Sequence, residues 1–95
     1  MYLPGVLWRR GELHLCRGDE SNAAADFRDA VAAARRVGSK IFELRATTSL
    51  ARLLAKQSNR DEARTMLAEI YNWFTEGFDT PDLKDAKALL DQLGG

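Results

Sequence analysis

The sequence predicts an all-α fold built as a helical repeat: two helix-turn-helix pairs followed by a C-terminal capping helix. Two observations carry this expectation. The chain echoes itself 40 residues on, with Gly11, Gly18, Asp19, Ala23, Phe27 and Ala30 opposite Ala51, Ser58, Asn59, Ala63, Leu67 and Ile70. Small residues return where two helices must meet closely, bulky apolar residues return four positions later, and a turn-and-cap pair lies between, as in a stacked array. Apolar residues also advance by threes and fours along the chain, and no run carries a strand signal.

Each element has its own signals. The first helix is expected over residues 4–17, where Pro4 suits a first-turn position and Leu7, Gly11, His14, Leu15 and Gly18 follow one face. Asp19 is the expected N-cap of the second helix, which carries Ala23, Phe27, Ala30, Val31 and Ala34 on one stripe and stops at Gly38. Ser39 caps the third, where Ile41, Leu44, Ala51, Leu54 and Ala55 are widened by Leu50 and Leu53 into a face broad enough for burial on two sides. Asn59 caps the fourth, with Glu62 as a capping-box partner, then Ala63, Met66, Leu67, Ile70, Tyr71 and Phe74 at helical spacing and a stop near Gly77. Thr80 caps the fifth, Pro81 opens it, Asp82 and Asp85 complement its positive end, and Leu83, Ala86, Leu89, Leu90 and Leu93 form its stripe until Gly94. The result is one domain over residues 1–95: repeat one at about 4–38, repeat two at about 39–77 and the capping helix at about 80–93.

Composition narrows the function. The 14 basic and 14 acidic side chains cancel, which removes the uniform field of a non-specific nucleic-acid binder. Their distribution is uneven, since residues 1–60 hold 11 Lys/Arg against 6 Asp/Glu and residues 61–95 hold 3 against 8. A nucleic-acid reading of Arg9, Arg10, Arg17, Arg45 and Arg52 is opposed by that acidic last third. Cys16 is the sole cysteine, so no intrachain disulfide forms, and a reducing, cytoplasmic setting is expected. There is no signal peptide pattern and no apolar run near the ~18 residues of a membrane span, so no membrane partner is expected.

Catalytic and metal constellations are missing from the sequence. No phosphate loop occurs, because no Gly-x-x-x-x-Gly-Lys run is present. One His and one Cys cannot assemble the soft and imidazole ligands of a closed zinc site, and Cys16 lacks a base partner. His14 reads as a packing or groove residue. Glu76, Asp79, Asp82 and Asp85 lack the alternation and terminal Glu of a calcium loop. The expectation is therefore no enzyme and no cofactor.

Binding is the remaining class. Arg45, Ser49, Arg52 and Lys56 follow steps of four, three and four, so one face of the third helix presents three cations around a hydroxyl. This stripe is either a ligand groove or a solvated helix face. The cluster Tyr71, Trp73, Phe74 and Phe78 reads as the seam under the capping helix, with a partner patch as the alternative.

Gly11, His14, Gly18, Ala23, Phe27 and Ala30, echoed by Ala51, Leu54, Ser58, Ala63, Leu67 and Ile70, resemble the tetratricopeptide repeat family. His14 replaces the usual aromatic, and the second unit keeps the spacing rather than the identities. The runs Arg10-Gly11-Glu12-Leu13, Glu43-Leu44-Arg45-Ala46 and Trp73 to Leu83 look like the C-terminal helical tail of large bacterial regulatory proteins that carry a nucleotide cyclase or ATPase domain. The resemblance implies a non-enzymatic protein-interaction module, a regulatory or scaffolding tail, whose concave groove is lined by the first helix of each pair. It places Trp8, Glu12 and Cys16 beside Arg45, Ser49, Arg52 and Lys56, and the expected occupant is an acidic or carboxylate-ended peptide. The alternative is a structural oligomerisation element. Two and a fraction repeats leave an apolar end at Leu3, Val6, Leu7 and Trp8, and the opposed charges of the two parts would orient a homodimer.

Overall fold

Turns at the repeat positions set the architecture. In the computed structural model, which describes residues 4–74 and 80–94, the chain forms α1 (Pro4–Cys16), α2 (Glu20–Val37), α3 (Lys40–Lys56), α4 (Arg60–Trp73) and α5 (Pro81–Gly94). No strand occurs among the described residues. α1 stops because Gly18 takes φ +78°, which lets its N–H reach the Leu15 carbonyl at 3.0 Å and the Asp19 N–H reach that of His14 at 2.8 Å. The same motif closes α3, forty residues later, where Ser58 takes φ +69° and Asn59 N–H bonds to Leu54 O at 2.8 Å. It also closes α2, with Gly38 at φ +75° and Ser39 N–H on Ala34 O at 2.9 Å.

Caps start the next helices. Asp19 accepts from the Asn22 N–H and amide, and that side-chain hydrogen bond holds its carboxyl below the usual aspartate value. Ser39 Oγ accepts weakly from Phe42 N–H at 3.5 Å. Asn59 occupies the N-cap of α4 but makes no side-chain cap bond, so the expected capping box does not form. Glu62 turns instead to Arg28 of α2 at 3.4 Å, because α2 lies close enough to offer a cation. α4 also ends before the expected stop: Phe74 is extended, with ψ 130°, and its ring packs edge-on against Trp73 and onto the core. Gly77, Phe78, Glu76 and Asp79, and Leu3 at the other end, lie outside the described residues.

The helices stack in two layers. Each packs on its successor, α5 also covers α3, and α1 touches α3. Among the described residues, α2 and α4 do not pack on each other and are bridged only at their surface by Arg28 and Glu62, while α3 meets both α1 and α5, in a body with extents of 31 × 30 × 19 Å. Repeat positions are buried in pairs: Ala23 with Ala63, Phe27 with Leu67, Ala30 with Ile70, Gly11 with Ala51. The tight crossing of the first pair lies at Gly11, where a Cβ would stand 2.6 Å from Phe27 Cε1. Leu83, Ala86, Leu89 and Leu93 of α5 are buried where that helix packs on α3 and α4.

Candidate functional site

The face shared by α1, α3 and α5 gathers five of the seven residues singled out from the sequence. Trp8 and Glu12, one turn apart on α1, lie across from Ser49 of α3. Trp8 Nε1 donates to Ser49 Oγ at 3.1 Å, and Ser49 Oγ donates to Glu12 Oε1 at 3.1 Å. Ser49 is buried, so it braces α1 against α3 rather than standing open to solvent. Arg45, one turn earlier, donates from Nη2 to Asp82 Oδ2 at 3.0 Å and from Nε to Oδ1 at 3.4 Å, tying α3 to the first turn of α5. Its guanidinium also lies over the rings of Trp8 and Phe42, at 5.5 and 5.2 Å from their centroids.

Arg52 completes the face. It is exposed and has no ion-pair partner among the described residues. Trp8, Glu12, Arg45, Ser49 and Arg52 line a cleft of about 190 Å³, joined by Thr48, Asp82 and Asp85. Two cations therefore face three carboxylates. The expected all-cation stripe does not exist as open charge, because two of its three members are already matched: Arg45 by Asp82 and Lys56 by Glu20 at 2.8 Å. The Lys56 ammonium holds the Glu20 carboxyl below its ordinary value of 4.5. Lys56 and Cys16 are not in the cleft; Cys16 is exposed at the end of α1.

A second cleft, of about 600 Å³, adjoins the first through the shared residues Trp8 and Arg45. Its other walls come from Gly5, Val6 and Arg9 of α1, Val37, Ser39 and Phe42. Phe42 lies three residues before Arg45, so it continues the stripe by one turn on the same helix face, but a search for cations passes over it.

A buried carboxylate was also missed. Asp26, in the second turn of α2, receives Arg10 Nη2 at 3.0 Å and Nε at 3.2 Å on Oδ1, and His14 Nδ1 at 2.7 Å on Oδ2. Its side chain is only 7% exposed, so these contacts replace most of the water it loses. The signal was present: Arg10 and His14 are four apart on α1, and Asp26 is an acid set within an alanine-rich stripe. Glu43 plays a similar part on α3, with Arg35 Nε at 3.0 Å and Lys40 Nζ at 3.4 Å. Both are internal clamps rather than open sites. Among the described residues, no three His, Cys, Asp or Glu side chains are grouped to hold a metal ion, and no helix is long and apolar enough to cross a membrane.

No protein-family model, curated protein or solved structure matches the chain.

Proposed function

We propose that the protein is a tetratricopeptide-like interaction module, the tail of a larger cytoplasmic regulatory or scaffolding protein, that binds a peptide segment of a partner along the α1, α3 and α5 face. It needs no cofactor and contacts neither nucleic acid nor membrane. The observation that supports this reading most is the braced floor of that face. Trp8, Glu12, Ser49, Arg45 and Asp82 hold one another in place, while Arg52 stands beside them with no ion-pair partner among the described residues. Pre-ordered walls lose little entropy when a ligand arrives. The 40-residue recurrence of turn geometry and buried positions supports the repeat resemblance.

Selection from a random peptide library tests the reading. An enriched consensus is expected whose binding falls with Arg52→Glu and survives Arg64→Glu, a change at an exposed site on α4. No consensus, or equal loss from both variants, rejects the proposed face.

The second reading is a homo-oligomerisation element. It is favoured by exposed apolar side chains at the α1 start and the α2–α3 turn, Val6 at 50%, Val37 at 59% and Ile41 at 38%. Light scattering separates the two, since a lone interaction module keeps the 10.6 kDa monomer mass at high micromolar concentration.

A further inference from the structure

The 600 Å³ cleft differs in chemistry from the polar cleft beside it. Val6, Trp8, Val37 and Phe42 supply apolar walls, and among the described residues Arg9 and Arg45 are its charged lining residues. Arg45 is bound to Asp82, but Arg9 is exposed and has no ion-pair partner among the described residues. An apolar hollow with the exposed Arg9 on its lining, unpaired among the described residues, complements one kind of occupant: a large apolar side chain with a carboxylate next to it in sequence.

We infer that this cleft anchors a Leu or Phe side chain of an acidic partner peptide, with Arg9 meeting a flanking carboxylate. The inference rests on the interaction-module reading and adds the ligand's chemistry and entry point. Gly5 contributes to the hollow by lacking a side chain, since a Cβ there would stand 3.4 Å from Phe42 Cε1 and narrow the mouth.

An amide-resolved NMR titration tests it with three short blocked peptides: Leu-Phe between acidic flanks, Leu-Phe between lysine flanks, and Ala-Ala between acidic flanks. The first is expected to shift Val6, Val37, Phe42 and the Trp8 indole and to bind about tenfold or more tighter than either control, a difference near 1.4 kcal/mol. Arg9→Glu, a surface change, should remove most of that advantage, and Val37→Asp should remove the rest without altering the helical spectrum. Equal binding of the lysine-flanked peptide overturns the inference, as do shifts centred on Glu12 and Arg52. Shifts of the cleft signals with protein concentration alone also overturn it, because a second copy would then be the occupant. Silence of the whole α1, α3 and α5 face toward all three peptides overturns the module reading as well.

Discussion

Gly11 shows how one missing methyl sets a helix crossing. Phe27 is fully buried, and its ring lies where a Gly11 side chain would otherwise stand, 2.6 Å from the position of a Cβ. Alanine normally gains up to about 1 kcal/mol over glycine inside a helix, whereas overpacking a filled core costs about 1–3 kcal/mol. The second effect is larger here, because the obstructing atoms belong to a ring held on all sides. Gly11→Ala should therefore lower stability by about 1–2 kcal/mol in urea denaturation. Gly5→Ala, which meets Phe42 at an ordinary 3.4 Å, should be neutral or slightly stabilising. Equal effects from the two would mean that α1 and α2 are not held at that crossing. This position was legible from sequence because a glycine on the apolar face of a helix marks a neighbour too close to admit a Cβ. Asp26 was harder to read: the i, i+4 spacing of Arg10 and His14 and an acid in an alanine stripe were visible, but the partners sit 16 and 12 residues away on another helix and only packing joins them.

The turns between helices were the most readable elements, since their chemistry is local. Gly18, Gly38 and Ser58 each adopt the left-handed conformation, and the N–H of the next residue bonds to the carbonyl five positions before it. Ser58 is the informative member, because it takes the same conformation with a residue that bears a Cβ. The left-handed region costs an L-residue about 1–2 kcal/mol, while glycine avoids that cost but loses part of the gain through its freer unfolded chain. Ser58→Gly should thus stabilise by about 0.5 kcal/mol, and Gly18→Ser should destabilise by a similar or larger amount. The sign difference, read from paired denaturation curves, is the test; two losses would contradict the shared turn geometry. Element ends governed by distant packing were less legible. α4 was expected to run on toward Gly77, but Phe74 leaves the helix to place its ring on the core. The Asn59–Glu62 capping box was likewise displaced by Arg28, a residue that sequence spacing does not bring near Glu62.

Charge is the property that belongs to the whole molecule. The excess of cations in residues 1–60 and of acids in residues 61–95 read from sequence as a dipole able to orient a second copy. Folding pairs part of it internally: Arg45–Asp82 and the exposed Arg28–Glu62 each join the basic part to the acidic part, and the half-buried first pair fastens α5 to α3. The stripe on α3 was legible as a set of positions, but its charge state was not, because Asp82 lies 37 residues beyond Arg45 and only packing brings them together. If local pairing matters more than overall balance, two reversals on α5 with the same change in net charge should act oppositely. Asp82→Arg sets a guanidinium against half-buried Arg45 and puts a cation at the positive end of α5, a combined cost of about 1–2 kcal/mol. Asp91→Arg is exposed near the negative end of the same helix, where a cation gains roughly a few tenths of a kcal/mol. Urea midpoints at low ionic strength should fall for the first and hold or rise for the second. Matching shifts in the same direction would show that the molecule responds to its net charge, and that Arg45 and Asp82 contribute no specific fastening of α5.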